Sequence, residues 1–232
     1  MYTLVIGNQN YSSWSLRPWV LMKQLGIPFE QLKFAFQSPD WQKVHEISPT
    51  GRVPTLTDGA TVVWDSLAIV EYLAEAHDHV WPADKIDRAQ ARAILSAAAE
   101  MHSGFSTLRN VCGMTVGVRV VLNEISADLQ QNINRISALW AEGLRRFGGP
   151  FLAGGAFTAV DAFFCPVAFR VQTYGLKLEP EAMIYAERLL ALPAMKEWYE
   201  AGLAETWRDP SHEDEPQKYG RVVEDFRALP LV

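Results

Sequence analysis

Cysteine, basic charge and metal-ligand clusters are scarce in this sequence, and each scarcity excludes a class of protein. Two cysteines among 232 residues, Cys112 and Cys165, form neither a disulfide framework nor a C-x-x-C redox pair. The net charge is -6 and no basic stripe is present, which argues against nucleic acid as a partner. His77 and His79 are close in sequence but have no third ligand nearby, so we expect no metal site.

Long apolar runs are also missing. No stretch approaches the roughly 18–20 apolar residues that a bilayer-spanning helix needs, so we expect no membrane partner. The segment from Met1 to Ile6 enters a strand pattern directly and lacks the basic and apolar regions of a signal peptide. Two unpaired cysteines are simplest to place in a reducing compartment. We therefore expect a cytoplasmic protein.

The first 76 residues alternate between strand and helix patterns. Strand patterns cover 2–7, 29–36, 53–57 and 61–64, and helix patterns cover 14–25, 40–47 and 65–76. The last two strands flank Asp58-Gly59, a dipeptide typical of hairpin turns. The order β-α-β-α-β-β-α predicts one compact α/β layer.

The sequence changes character after this layer. The polar stretch 77–87 contains Trp81-Pro82 and is predicted to link a domain over 1–78 to a second domain over 88–232. No strand pattern is apparent beyond the linker, which predicts an all-α second domain. Helices are expected over 88–100, 124–146, 159–174, 181–190 and 194–203. The polar segment 208–220 is expected to be irregular and to run over the surface.

Three serines precede the first helix, at positions 12, 13 and 15. With Ser15 as the N-cap, Pro18 falls in the first turn, where proline removes no intrahelical hydrogen bond. Ser12 and Ser13 would then lie just ahead of the helix, where free N–H groups and the helix dipole favour an anion such as a thiolate. A plain loop with one capping serine explains the same stretch.

Two further segments could receive a peptide-like ligand. Pro54 opens a strand, and a cis Val53–Pro54 bond would turn the Val53 backbone N–H and C=O outward as a docking edge. An ordinary turn before an edge strand is the alternative. Asp65 and Ser66 stand where a strand becomes a helix, so they either cap the helix or bind the ammonium and carboxylate of a ligand.

Together these segments resemble the N-terminal domain of glutathione transferases. The stretch 48–56 matches the family pattern N-P-x-G-K-V-P-x-L, with Ser48 and Arg52 in the variable places. The stretch 65–73 matches E-S-x-A-I-x-x-Y-L, with Asp for Glu. The stretch 12–17 is similar to the S-S-C-S-x-R signature of the zeta class, which includes maleylacetoacetate isomerases, but has Trp14 in place of Cys.

The resemblance reaches the second half of the chain. The stretch 151–161 looks like the family element F-L-x-G-x-x-x-T-x-A-D, in which Thr158 and Asp161 would form a capping box. The resemblance thus implies a thioredoxin-like α/β N-terminal domain followed by an all-α C-terminal domain. The segment 105–110 resembles a zeta-class stretch that reaches the site from the helical domain.

The resemblance assigns roles by position. The catalytic candidates are Ser12 and Ser13; the glutathione-binding candidates are Val53, Pro54, Asp65 and Ser66; the second-rank candidates for the substrate pocket are Tyr11, Arg109 and Asn110. Four residues are candidate lining residues of the apolar wall but also suit the core: Met101, Phe105, Met114 and Val118.

The function implied is a glutathione transferase, with glutathione as co-substrate and a small electrophile as its partner. Ser12 would donate a hydrogen bond to the glutathione sulfur. Lowering a thiol pKa of about 8.5 by about two units takes roughly 2.7 kcal/mol, which that bond and the helix N-terminus together supply. Two alternatives stay open: a maleylacetoacetate-type cis–trans isomerase, which Trp14 weakens, and a binding or regulatory module without turnover. The family also implies a homodimer and a role in detoxification.

Overall fold

The computed structural model describes residues 1–99 and 104–230. The expected helix 88–100 therefore reaches one residue beyond the described part, and Met101 lies outside it. The N-terminal part runs β1 (Tyr2–Ile6), α1 (Ser13–Gln24), β2 (Phe29–Lys33), a 3₁₀ turn (Pro39–Trp41), α2 (Gln42–Ile47), β3 (Thr55–Asp58), β4 (Thr61–Trp64) and α3 (Ser66–Ala76).

The second part is largely helical. It runs α4 (Lys85–Ala99), α5 (Ser106–Val111), β5 (Val118–Leu122), α6 (Ala127–Phe147), α7 (Ala159–Tyr174), α8 (Pro180–Ala191), α9 (Pro193–Ala204), α10 (Pro210–Tyr219) and β6 (Gly220–Asp225). The division into domains 1–78 and 88–232 stays a prediction. Across the described ranges, no helix has the length and apolar character needed to span a bilayer.

The N-terminal sheet confirms the predicted α/β layer. Its strand order is β2-β1-β3-β4, with β1 parallel to β2 and antiparallel to β3. β3 and β4 form the expected hairpin, whose turn places Gly59 at φ 57°, a left-handed conformation that favours glycine. Buried Leu4, Ile6 and Leu56 point from the strands into a core shared with α1 and α3. This arrangement sets the N-termini of α1 and α3 beside the end of the sheet.

Helix α7 is the centre of the second part, and nearly all its side chains are buried. Its N-terminus carries the predicted capping box, which confirms the reading of Thr158 and Asp161. The Asp161 carboxylate also accepts hydrogen bonds from the Leu152 N–H at 2.9 Å and the Tyr185 hydroxyl at 2.8 Å. Because this carboxylate is fully buried, its role is to fix the packing of α7 against α8.

The second part is largely helical, as predicted, but two details differ from the prediction. β5 pairs antiparallel with β6, so the expectation that no strand follows the linker is wrong. Residues 208–220 are not irregular, since α10 occupies most of them. Its start signal is clear in hindsight: Asp209 is an N-cap that accepts from the His212 N–H, and Pro210 stands at the first helical position. The polar composition of the segment hid this signal.

Candidate functional site

The N-terminus of α1 carries the three serines. The helix begins at Ser13 with Ser12 as its N-cap, so the prediction of Ser15 as the cap is wrong. Ser12 Oγ accepts from the Ser15 N–H at 3.4 Å and lies 2.7 Å from Ser15 Oγ, which itself accepts the Gly7 N–H at 3.2 Å. Ser15 therefore ties the cap to the end of β1. Pro18 lies inside the helix rather than in its first turn.

A buried arginine packs against the Trp14 side chain, beside the serines. The Arg17 guanidinium lies 4.0 Å from the Trp14 ring and 4.6 Å from the Phe163 ring, and it donates to the Ala98 carbonyl at 2.9 Å. Burial lowers the pKa of Arg17 to about 9, so the group stays charged at neutral pH. These contacts hold the Trp14 ring against the core next to the serines.

The segment before β3 is held by hydroxyl contacts. The Val53–Pro54 bond is cis, which is one of the two alternatives that the sequence leaves open. Thr55 Oγ1 donates to the Ser48 hydroxyl at 2.9 Å or the Arg52 carbonyl at 3.0 Å, which closes the preceding loop. Within the described residues, no hydrogen bond reaches the Val53 backbone. The peptide groups of Val53 are thus open to a ligand.

Asp65 and Ser66 begin α3. The Asp65 carboxylate accepts from the Leu67 N–H at 2.8 Å, so the capping explanation is confirmed for this residue. Its φ of 72° is a left-handed conformation that costs a non-glycine residue about 1 kcal/mol. The Ser66 hydroxyl is buried and has no hydrogen-bond partner among the described residues. This unpaired donor is available to a ligand.

Every predicted site residue lines one of two adjoining cavities. A cavity of about 600 Å³ is lined by Val53, Pro54, Asp65 and Ser66. A cavity of about 430 Å³ is lined by Tyr11, Ser12, Ser13 and Asn110. Four residues line both: Trp14, Arg52, Val53 and Arg109. The two cavities therefore form one groove that runs from the start of α3 to the start of α1.

Tyr11 is engaged elsewhere although it lines the groove. Its hydroxyl donates to a Glu213 carboxylate oxygen, which also receives Arg227 Nη1. Burial and this hydrogen bond raise the pKa of Tyr11. The ring is stacked on His212, with centroids 4.9 Å apart. Tyr11 thus connects the loop before α1 to the C-terminal segment.

Helix α10 also lines the groove, which the sequence did not predict. Helix α10 contributes His212, Glu215 and Lys218 to the smaller cavity, and Arg170 of α7 faces it as well. The Asp209-Pro210 signal could have predicted the helix. No local pattern could have predicted where the helix packs.

The charges around the smaller cavity are mainly positive. Arg52, Arg109, Arg170 and Lys218 line it, against the carboxylate of Glu215. Arg109 on α5 donates to the Asn110 side chain at 3.0 Å and is half-buried. The arrangement favours an anionic ligand near Arg109.

The other candidates are divided between cavity and core. Met114 lines the smaller cavity, whereas Phe105 is buried in the core and Val118 lies away from the groove. Both cysteines are buried free thiols, and burial raises the pKa of Cys112 to about 12. Their burial leaves the cysteines unreactive. In the chain outside 100–103 and 231–232, no three His, Cys, Asp or Glu side chains cluster as metal ligands.

Comparison with known proteins identifies the two parts of the chain. Models of the glutathione S-transferase N-terminal and C-terminal domains match residues 11–76 and 122–201. A probable maleylacetoacetate isomerase of Caenorhabditis elegans is 29% identical over 192 residues, covering 78% of this chain and 85% of the relative. A zeta-class glutathione S-transferase of Euphorbia esula is 31% identical over 166 residues, covering 67% and 70%.

Solved structures share the fold. A glutathione transferase homologue from Burkholderia GL BGR1, with bound glutathione, has a TM-score of 0.63 and 25% identity and covers 87% of this chain and 97% of its own. Glutathione transferase Omega 3C of Trametes versicolor has a TM-score of 0.66 at 19% identity, with coverage of 85% and 83%. The second similarity concerns the fold alone.

Proposed function

Because this chain belongs to the glutathione S-transferase family, we propose that it activates the thiol of glutathione for attack on a small electrophile. One observation carries the proposal: the serines of α1 and the open peptide edge of Val53 line a single groove. A relative of the same fold holds glutathione. Glutathione is therefore the expected co-substrate.

The groove suggests how the tripeptide lies. The unpaired Ser66 hydroxyl and the Asp65 carboxylate offer a donor and an acceptor to the amino-acid end of the γ-glutamyl group. The Val53 peptide groups can pair with the cysteinyl backbone, as an added strand would. The sulfur then falls near Ser12 and Ser13 in the smaller cavity.

Ser12 is the favoured activating group because its hydroxyl belongs to a chain of hydrogen bonds. Ser15 Oγ accepts both the Gly7 N–H and the Ser12 O–H, which fixes the Ser12 hydroxyl at the start of α1. In the proposed complex the Ser12 O–H turns from Ser15 Oγ to the stronger acceptor, the thiolate. Ser15 acts here as a positioning residue.

Ser13 and Tyr11 are weaker candidates. Ser13 lines the same cavity and is half-buried, so its hydroxyl is an alternative donor to the thiolate. The Tyr11 hydroxyl already donates to Glu213, and its raised pKa makes it a poorer donor to a thiolate. These contacts favour a structural role for Tyr11.

Cis–trans isomerisation is the second candidate. Relatives named maleylacetoacetate isomerases support it, and the positively charged side chains of the smaller cavity, Arg109 among them, would suit an acidic substrate. Trp14, in place of the signature Cys, lines both cavities and fills space beside the serines. Conjugation therefore stays our first proposal.

One experiment separates these functions. Glutathione binding is measured by calorimetry, and turnover is measured with a general aryl halide and with maleylacetoacetate. We expect binding and aryl-halide turnover. Binding without turnover on either substrate would refute the catalytic proposal, and turnover of maleylacetoacetate alone would favour the isomerase.

Arg109→Ala tests the acidic subsite within the same assays. KM should rise for a carboxylate-bearing electrophile and stay unchanged for a neutral one. Equal KM values for both substrates before and after the substitution would remove Arg109 from the substrate site. Arg92→Ala, which breaks an exposed pair with Glu71 outside the groove, is the matched control.

The remaining expectations come from the family. We propose a homodimer in the cytoplasm with a role in detoxification. Sedimentation velocity on the purified chain tests the first point, since a single monomeric species would contradict it.

A further inference from the structure

We propose that His212 is a catalytic residue of this site: its imidazole takes the proton from the thiol of bound glutathione, while Asp209 positions the ring. The proposal rests on the function proposed above and extends it. Ser12 would stabilise the thiolate but accepts no proton, so without a base the thiol proton passes to solvent. A base at the site would accept it directly.

The first argument is the pairing of His212 with Asp209. His212 Nδ1 is hydrogen-bonded to Asp209 Oδ2, and Asp209 is fully buried at the N-cap of α10. The same carboxylate oxygen also accepts from the Ser211 hydroxyl. With Nδ1 donating to a carboxylate, the neutral ring carries its lone pair on Nε2, the form that accepts a proton.

The second argument is the placement of the ring. The imidazole is stacked between Tyr11, with centroids 4.9 Å apart and planes at 19°, and Phe36, at 5.1 Å and 16°. Tyr11 directly precedes Ser12, and His212 lines the same cavity as both serines. The side chain is 30% exposed, so the stacked ring keeps an accessible edge. A ring fixed in this way needs no reorganisation before it accepts a proton.

The third argument is the charge around the ring. Burial alone would raise the pKa of Asp209, but hydrogen bonds from Ser211 and His212 lower it below its usual value. The carboxylate therefore stays ionised at neutral pH and stabilises an imidazolium. In the facing loop, Tyr11 is neutral because its pKa is raised. On α10, the Glu213 carboxylate forms an ion pair with Arg227.

The other charged groups that line the cavity are Glu215 and Lys218, which carry opposite charges on the helix of His212, and three arginines on other elements, Arg52, Arg109 and Arg170. The arginines favour the thiolate that remains when the proton leaves the sulfur.

The proposed reaction begins with transfer of the thiol proton to His212. The S–H bond breaks, its electron pair stays on sulfur, and the proton moves to His212 Nε2. The thiolate, held by Ser12, forms a bond to the electrophilic carbon. With an aryl halide the halide leaves with its bonding pair, and the imidazolium gives its proton to solvent. With an activated double bond, the imidazolium returns the proton to the carbanion.

The test uses the full chain and the variant His212→Asn, whose amide can still donate to Asp209 but has no second ring nitrogen. At neutral pH, kcat/KM with the aryl halide should fall by about 10²-fold. The loss should shrink as pH rises, because hydroxide replaces the base. His79→Asn, an exposed histidine outside the groove, should match the wild type. His212→Ala should recover activity in added imidazole.

The outcomes separate this inference from the proposed function. If the wild type turns over and His212→Asn reproduces its kcat/KM at every pH, the inference is wrong and the transferase proposal survives. If His212→Asn does not fold, imidazole rescue of His212→Ala decides, and absence of rescue refutes the role. If the wild type binds no glutathione, both proposals fail.

Discussion

Replacing Ser12 by alanine tests the central chemical claim, that this hydroxyl lowers the pKa of the bound thiol. The substitution removes the donor to the sulfur. It also removes the N-cap acceptor of the Ser15 N–H, which by itself costs about 0.5–2 kcal/mol of stability. The two effects must be measured separately, because a loss of folded protein would lower the rate without changing the thiol pKa.

The expected size follows from the hydrogen bond that is lost. A bond to a charged group contributes about 1.5–3 kcal/mol, and one pKa unit corresponds to about 1.36 kcal/mol. Ser12→Ala should therefore raise the thiol pKa by about one to two units. At a pH below both values, the thiolate fraction and kcat/KM should fall by about 10- to 100-fold.

The assay is a titration of the thiolate absorbance of bound glutathione, run beside kcat/KM against pH and a denaturant melt. Ser13→Ala is the matched control, since it removes a neighbouring hydroxyl that makes no cap hydrogen bond. Ser15→Ala should change the thiol pKa by less than Ser12→Ala, because the donor to the sulfur stays in place and only its acceptor Ser15 Oγ is lost. An unchanged titration for Ser12→Ala would refute the reasoning, and a shift for Ser13→Ala alone would transfer the role.

Three further predictions concern stability. Glu205→Ala removes the acceptor of two backbone N–H groups in the loop before α1 and should lower the free energy of unfolding in urea by about 2–4 kcal/mol. An unchanged free energy of unfolding would contradict this role of Glu205. Asp161→Ala removes the acceptor of four buried donors and should cost more than about 3 kcal/mol; a change near zero would contradict its packing role. Burial would raise the pKa of Glu213, but hydrogen bonds from Arg227 and Tyr11 lower it below normal. Its stabilisation is present above an unfolded pKa of about 4.3 and is lost as pH falls through the folded value, so Glu213→Gln should flatten the acid limb of the Tm profile.

The first 76 residues could be predicted well because their signals are local. Strand and helix periods alternate, and a hairpin dipeptide separates the last two strands. Even so, the N-cap of α1 is Ser12, three residues before the Ser15 considered from the sequence. Ser12, Ser13 and Ser15 are equally good caps by residue type, and the contact between Gly7 and Ser15 Oγ decides among them. That contact depends on where β1 ends relative to α1, which no serine pattern encodes.

The candidate site could be predicted only in part, for a related reason. The residues proposed to face glutathione lie within one small layer, so motif spacing could suggest them. The wall formed by α10 depends on partners about two hundred positions away, such as the pairing of Tyr11 with Glu213. A polar, proline-containing segment gives no sign of such a partner. The strand β5 was missed for the same reason, because its pairing strand β6 is about a hundred residues away.

The two ends of the chain meet at the loop that positions the serines. Glu205 accepts from the backbone N–H groups of Gln9 and Asn10, and its carboxylate lies 3.0 Å from Lys33 Nζ. A few residues later, the His212 ring, which is hydrogen-bonded to Asp209, is stacked on Tyr11. The loop before Ser12 is therefore held by the C-terminal segment as well as by its own helix cap. Any motion that lifts α10 would open the cavity and remove the proposed base together, which couples access to the site with its chemistry.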